Sequence, residues 1–247
     1  KKVLLKEQLL ELLRYIKTHI LPGYLEAYPQ GRYKSNEKGM IPPPPPTAFL
    51  IGTLHEGVLS ALIGHGLYDH GNGSGVKVHR LNSGNAKYIF TRDMILNPGN
   101  KNTTNRCQLP NNYTFQTISS TFDFDLVRSR TPIFRSDGSL SRMNGVAIYH
   151  CQQDPIGWAF ISFDGSLATL HIEPEHRGKG LAVQLAKETM RRAMCDSKSI
   201  FADAVRQERE GYMHADVLLG NVASRRVMEK IGGSILWTDA WAVLELV

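Results

Sequence analysis

Apolar residues along the chain recur with two periods, one typical of helices and one typical of strands. Residues 2–20 carry leucine or isoleucine at every third or fourth position, which predicts an amphipathic helix that Pro22 ends. Residues 166–173 are mostly apolar or β-branched and stop at Pro174, which has no N–H to donate, so they predict a strand. Helical spacing resumes over residues 181–195. A strand therefore leads directly into a helix in the second half of the chain.

The rest of the second half predicts a regular succession of short elements. In order, we expect strands over 145–151, 156–163 and 166–173, the helix over 181–195, a short helix within 198–211, a strand over 212–218, a helix opening at Asn221, and a closing hairpin of 233–238 and 241–247. Asp164-Gly165 is a hairpin turn signal, so the strands on either side of it run antiparallel.

The first half of the chain is less regular. We expect mixed strand and helix over 47–67 with the helix at 55–64, strands over 76–80 and 87–91, and irregular structure over 93–121. Five prolines at 42–46 predict an extended polyproline II spacer. The polar stretch 128–142 marks the expected boundary between a domain of residues 1–139 and a domain of residues 140–247.

Composition narrows the class of protein. The chain has 247 residues, of which 42% are hydrophobic and 21% charged, which is typical of a soluble globular protein. No apolar run approaches the roughly 20 residues that cross a membrane. The net charge of +6 lies in the first half, yet no run of Lys or Arg with interleaved aromatics predicts nucleic-acid binding. Three widely spaced cysteines predict neither disulfides nor a metal site, and they favour a reducing, cytoplasmic location. The oligomeric state stays open.

The turn Arg177-Gly-Lys-Gly180 connects the strand to the helix. The first N–H groups of a helix lack internal partners and carry partial positive charge, and glycines let a bulky anion approach the backbone. Arg177 and Lys179 add charge beside them. The pattern predicts a cradle for a phosphate or pyrophosphate. The simpler alternative is a helix that merely begins after a glycine-rich turn.

Two motifs resemble those of one superfamily. The run Arg-x-x-Gly-x-Ala at 177–182, after a strand ending Ile-Glu-Pro-Glu, resembles the acyl-CoA signature of the GNAT acetyltransferases. Asn221 opens a helix that stops at a glycine pair, which resembles their second motif. The resemblance implies the GNAT fold, an α/β fold whose mixed central sheet has helices on both faces. It also implies acetyl-CoA or another acyl-CoA as co-substrate.

The same resemblance implies a set of cofactor-binding residues on the strand, the turn and two helix starts. These are Leu170, His171, Ile172, Arg177, Gly178, Lys179, Gly180, Leu181, Ala182, Asn221 and Ser224. A closer similarity, through Pro155-Ile-Gly-Trp-Ala-Phe and His214-Ala-Asp216, is to the glycine N-acyltransferase-like group. In that group the first half is itself a divergent, degenerate GNAT-like domain. The resemblance covers residues 145–247 well and residues 23–140 poorly.

The chain departs from that group where catalysis is concerned. Ser166 stands where the group has a glutamate base. Ala168 stands where some superfamily members use histidine, and Met228 where many GNATs have a tyrosine that acts as general acid. An amine nucleophile must lose a proton, and histidine titrates near neutral pH, so we expect His214 or His171 to accept it. Asp216 shares a strand face with His214 and is expected to orient it. The alternative for each histidine is a structural role, with the ring bonded to backbone.

These features predict an acyl-CoA-dependent N-acyltransferase that acts on a primary amine of a small molecule or amino acid, with acetyl as the expected acyl group. Direct attack in a ternary complex requires that the amine and the thioester are positioned next to each other. It also requires backbone N–H groups, expected near Leu170 and Ile172, that hold the thioester oxygen as it gains charge. Two alternatives stay open. One is a non-catalytic acyl-CoA-binding module, and the other is a protein N-terminal or lysine acetyltransferase.

Overall fold

The computed structural model describes residues 2–27, 45–63, 75–96, 108–131, 133, 135–151, 154–195 and 211–247. It consists of two compact units. Lys1–Asn85 together with Trp237–Val247 form the first unit, and Ala86–Leu236 form the second. The expected polyproline spacer at 42–46 lies largely outside the described residues, as does most of the expected helix within 198–211.

The elements in chain order are α1 (Lys2–Tyr15), a π-helical turn (Ile16–Ile20), α2 (Leu21–Ala27), β1 (Phe49–His55), α3 (Glu56–Ile63), β2 (Val76–Thr91), α4 (Arg92–Leu96), β3 (Tyr113–Thr117), α5 (Thr121–Ser129), α6 (Asp137–Leu140), β4 (Asn144–His150), β5 (Pro155–Ile161), β6 (Leu167–Ile172), a 3₁₀ turn (Pro174–His176), α7 (Leu181–Cys195), β7 (Tyr212–Leu218), α8 (Val222–Ile231) and β8 (Ile235–Leu246).

The first unit contains the strands β1, β8 and β2 in that spatial order. β1 pairs antiparallel with β8, so that Phe49 lies opposite Leu244. Leu13 of α1 and Leu59 and Leu62 of α3 are buried with Ala242 and Leu244 of β8 in one apolar core. Part of the amphipathic stripe predicted for the first helix therefore packs in the core, whereas Leu12 and Ile20 are exposed.

The second unit contains an antiparallel sheet in the order β3, β4, β5, β6. Alternate strand residues face two different cores. On one face Ile148 and Ile161 pack with Leu185 of α7 and Met228 of α8. On the other face Trp158 and Phe160 are buried with residues of α5 and α6. Helices thus cover both faces, as the fold prediction requires.

β6 and β7 run side by side at one end only. In the described residues they meet in a single parallel bridge, between Ser166 and His214. Beyond it β6 continues in the sheet with β5, whereas β7 lies beside β2 in the other sheet. Two parallel strands that separate in this way open a cleft between their backbones. This divergence was the feature on which the GNAT fold prediction depended, and it is present.

Several predicted boundaries were wrong because contacts distant in sequence override local pattern. The first helical stretch does not stop at Pro22 but continues through the π turn into α2, in which Pro22 is the second residue. The expected strands at 76–80 and 87–91 are one strand, β2. Its polar middle is held by Gly84 N–H, which donates to Glu56 Oε1, and by the Asn85 amide, which donates to the Asp239 carbonyl.

Two further differences concern short segments. The closing hairpin is a single strand, β8, paired with β1. The region 93–121, expected to be irregular, contains the end of α4 and the strand β3. The compact units also differ from the boundary expected at residue 139, because β3 and the part of β2 from Ala86 onward belong to the second unit, and β8 from Trp237 onward belongs to the first.

Candidate active site

The glycine turn has the backbone that its sequence requires. Gly178 and Gly180 have φ values of 78° and 76°, in the left-handed region that favours glycine. A Cβ built on either residue would meet no atom within 4 Å, so the space beside the turn is open. The Arg177 Nε donates to the Ile172 carbonyl at 2.8 Å and ties the turn to the end of β6.

Helix α7 begins directly after this turn. The Val183 and Gln184 N–H groups donate to the Gly180 carbonyl, whereas Leu181 and Ala182 precede the first helical hydrogen bond. The amides at the start of α7 and the open space at the glycines therefore suit an anion. A pyrophosphate of a CoA-type ligand would fit these residues, and the anion cradle stays a prediction.

Aromatic and basic side chains flank the turn. The Tyr113 hydroxyl accepts a hydrogen bond from Lys179 Nζ at 3.1 Å and lies 2.9 Å from His176 Nδ1. The His150 ring is 5.3 Å from that of His176. Burial, followed by the positive charge of Lys179 and the ring of His150, lowers the pKa of His176 below its ordinary value. Tyr113 belongs to the segment expected to be irregular, and no local pattern predicted its position beside the turn.

A β-bulge interrupts β6 where the thioester was expected. Trp158 pairs with His171 and Phe160 with Ala168, so one residue of β5 faces two residues of β6, Thr169 and Leu170. Thr169 has a φ of 55°, which is strained for a β-branched residue. A bulge leaves one residue outside the ladder. Backbone groups near Leu170 are therefore available to a ligand in the cleft.

A buried polar network lies where β6 and β7 meet. Lys87 Nζ of β2 donates to Asp216 Oδ1 at 2.7 Å and lies 2.9 Å from His214 Nδ1. His214 Nε2 lies 2.9 Å from the Asp164 carbonyl oxygen. Because an ammonium group only donates and a carbonyl only accepts, His214 accepts at Nδ1 and donates from Nε2. Both ring nitrogens are engaged, which is the arrangement of a structural histidine.

The network differs from the expected pair of His214 and Asp216. Asp216 was expected to orient His214 directly, but the contacts of His214 are with Lys87 and Asp164, and Lys87 links the two side chains. Lys87 was missed from the sequence. The signal that could have found it is a lysine inside the apolar run Ala86-Lys-Tyr-Ile-Phe90. In the structure Ala86 and Tyr88 are fully buried.

His171 lies further along β6. Its ring stacks on Trp158 at 4.7 Å, and its Nε2 is 3.4 Å from Glu173 Oε2. Burial raises the pKa of Glu173, but its interactions with His171 and Arg130 outweigh burial and lower that pKa below its usual value. His171 thus lies beside Glu173, although its buried Nε2 makes no hydrogen bond to a described residue, while His214 belongs to the Lys87 network.

The remaining predicted residues have local roles. Asn221 caps α8, since its Oδ1 accepts from the Ser224 N–H at 3.1 Å. Ser166 donates from its hydroxyl and its N–H to Asp164 Oδ1. A cavity of about 630 Å³ lies beside α5 and the 3₁₀ turn, with Arg130, Glu173 and His176 in its wall. That volume is within the usual range for small-molecule sites.

Two family models match the sequence. Residues 1–88 match the N-terminal domain of the acyl-CoA N-acyltransferase verG, and residues 146–242 match the FR47-like protein family. The second match contains the diverging strands, the glycine turn and both helix starts. The chain belongs to the GNAT superfamily of acyl-CoA N-acyltransferases. The superfamily was correctly predicted from the two motifs. The comparison with curated proteins gives no match.

Several solved structures are similar to this chain at low sequence identity. A Drosophila protein is 15% identical with a TM-score of 0.54, over 81% of this chain and 61% of that one. A GCN5-related N-acetyltransferase from Kribbella flavida is 14% identical with a TM-score of 0.46, over 69% of this chain and 60% of that one. A putative acetyltransferase of the GNAT family from Novosphingobium aromaticivorans is 16% identical with a TM-score of 0.43, over 70% of this chain and 68% of that one. The chain spans about 60% of the length of the first two. No helix in the described part of the chain is long and apolar enough to cross a membrane.

Proposed function

We propose that this GNAT protein transfers an acyl group, with acetyl as the first candidate, from CoA to a primary amine of a small molecule or amino acid. The observation that carries the proposal is the separation of β6 from β7 immediately before a glycine turn and a helix start. A cleft that is lined by backbone and ends in an anion cradle suits an extended acyl-CoA.

The ligand-holding residues follow from this placement. Amides of residues 178–182 receive the pyrophosphate, with Arg177 and Lys179 as charged neighbours. Backbone groups of Leu170, His171 and Ile172 face the acyl arm, and Asn221 and Ser224 lie at the start of α8. A thioester supplies an activated carbonyl. The amine nitrogen forms a bond to that carbon, the C–S bond breaks, and the proton lost by the amine balances the one gained by the CoA thiol.

The backbone groups at the bulge are the proposed support for the carbonyl oxygen as it gains negative charge. His214 is the base proposed from the sequence. To take a proton it must first release Lys87 from Nδ1, because Nε2 already carries the proton that it donates to the Asp164 carbonyl. His171 is the second candidate.

Two substitutions of His214 test this role. His214→Ala should lower kcat by about 10²–10⁴-fold with CoA affinity unchanged, if His214 takes the proton. His214→Gln keeps one acceptor and one donor but cannot carry a proton. Normal turnover of the glutamine variant between about pH 6 and 9 would remove His214 as the base and leave it a structural member of the network.

Turnover of acetyl-CoA with glycine, n-butylamine, spermidine and a lysine-containing peptide tests the function itself. Acylation of a small amine supports the proposal, and acylation of the peptide alone points to a protein acetyltransferase. Tight CoA binding without transfer to any of them would contradict the enzymatic proposal and leave an acyl-CoA-binding module. Ser166, at the glutamate position, is the observation that favours such a module.

A further inference from the structure

The network around Lys87 leaves one buried atom without a partner. Lys87 and Asp216 have side chains that are only 6% and 8% exposed. Asp216 Oδ1 accepts from Lys87, and His214 has a partner at each ring nitrogen. Asp216 Oδ2 is buried and receives no hydrogen bond from any described residue. A buried carboxylate oxygen without a donor is costly, so it calls for a partner from outside the chain.

The position of Asp216 on β7 says where that partner lies. Asp216 comes two residues after His214, whose backbone bridges Ser166 at the point where β6 and β7 meet. Met213, Ala215 and Val217 pack into the core with α7, so Asp216 faces the opposite side of its strand. On β6, Leu167 belongs to the core with α7, and Ala168 faces the opposite side. The free oxygen is therefore on the strand face where Ser166 and Ala168 offer no ionisable group.

We propose that Asp216 Oδ2 accepts an N–H of the acyl acceptor and thereby anchors its amine. The inference rests on the proposed function, since it names the residue that holds the acceptor. An amine or ammonium supplies the donor that Oδ2 lacks. Lys87 is a positioning residue, because its hydrogen bond to Oδ1 fixes the carboxylate. Its positive charge also opposes a second ammonium on the same carboxylate, which favours the neutral amine needed for attack.

Direct binding of amines tests the anchor without relying on turnover. Glycine, n-butylamine and spermidine are titrated into the full chain with CoA present, and binding is followed by saturation-transfer NMR. We expect the wild-type protein to bind at least one of them and Asp216→Asn to bind it about 10- to 100-fold more weakly, because the amide places a donor at the Oδ2 position. The affinity for CoA, measured by calorimetry, should stay within about twofold.

The matched control is Asp125→Asn, which makes the same change on α5 at a side chain that is 74% exposed. It should bind amines as the wild type does. Because Asp216→Asn removes the carboxylate charge beside Lys87, the double variant Lys87→Met/Asp216→Asn provides a second test in which both of these charges are absent. It too should lose amine binding.

Lys87 has a readout of its own. Lys87→Met should move the rising limb of kcat against pH to higher pH, because the charge that opposes the bound ammonium is gone, whereas Lys87→Arg should keep the wild-type profile. Unchanged amine affinity in Asp216→Asn would overturn the inference, and so would a wild-type protein that binds none of the three amines. If the wild-type protein bound an amine but neither bound CoA nor transferred an acyl group, that result would instead contradict the proposed function.

Discussion

Gly180 combines a left-handed backbone with open space beside it, so a side chain here changes both conformation and charge. Gly180→Asp adds strain at a φ of 76° and places a negative charge where the phosphates are proposed to lie. We expect the affinity for CoA, measured by calorimetry, to fall at least about tenfold.

Gly138 provides the control for this substitution. It also has no atom within 4 Å of a built Cβ, but it lies at the start of α6 and its φ is not in the left-handed region. Gly138→Asp should bind CoA as the wild type does. Equal affinity of Gly180→Asp and wild type would contradict the placement of the pyrophosphate on this turn.

His176 predicts a dependence of stability on pH. Its folded-state pKa is lowered, by burial first and then by Lys179 and His150, so the unfolded chain binds the proton more readily. Its contribution to the free energy of unfolding is present above the ordinary histidine pKa of 6.5 and is lost as pH falls through the folded-state pKa. His176→Asn should therefore lose less stability than wild type between about pH 8 and 5, measured by urea unfolding.

The exposed His19 serves as the comparison for that measurement. His19→Asn should show the wild-type change between the two pH values, because the substitution leaves His176 in place. If His176→Asn lost as much stability on acidification as the wild type does, His176 would not be a source of the pH dependence.

Sequence separation explains which site residues could be predicted. The turn residues Arg177 to Gly180 lie next to each other, so a local motif describes their geometry. Lys87 contacts His214 and Asp216 across 127 and 129 residues, and no local pattern records that contact. The sequence therefore predicted the position of the glycine turn between β6 and α7, whereas the polar network appeared only in the structure.

Strand β6 depends on its close approach to β5. A Cβ on Gly157 would lie 2.4 Å from Ile172 Cδ1 and 2.9 Å from the His171 carbonyl oxygen. The isoleucine tip can rotate, but the backbone carbonyl cannot move without shifting β6. Gly157→Ala should therefore lower the free energy of unfolding by about 1–3 kcal/mol and weaken CoA binding, because Ile172 ends the strand that leads to the turn.

Gly138→Ala is the matched change, because its added methyl group meets no atom within 4 Å. Urea unfolding and CoA calorimetry on both variants would separate the effect of the clash from that of losing a glycine. A Gly157→Ala protein as stable as Gly138→Ala would show that β5 and β6 tolerate a wider spacing.

Elements whose limits are set locally were predicted well, and those set by tertiary contacts were not. Proline and glycine bound the segment from β6 to α7, and this segment was predicted to within a residue or two. The polar middle of β2 separated two predicted strands, yet it stays extended because Glu56 and Asp239 supply its hydrogen-bond partners. The closing segment indicated a hairpin, but it forms one strand whose pairing partner, β1, begins at Phe49.

At the scale of the whole molecule, both units draw strands from distant parts of the sequence. The core of the second unit includes Tyr88 and Phe90 of β2, each 0% exposed, together with Met213 and Ala215 of β7. The first unit includes β8 from Trp237 onward. A domain of residues 140–247, as predicted from the sequence, therefore lacks Tyr88 and Phe90 of the second unit's core. It also includes the part of β8 that belongs to the first unit.

Two fragments test this division. Residues 86–236 retain the residues of both second-unit cores, so this fragment should unfold cooperatively in urea. Residues 140–247 lack β2, β3 and α5, which removes Tyr88, Phe90 and Phe124 from those cores, and we expect no cooperative transition. Circular dichroism during urea titration, with the full chain as reference, measures both. A cooperative transition in 140–247 with none in 86–236 would show that the sequence boundary at residue 139, rather than the compact unit, defines the folding domain.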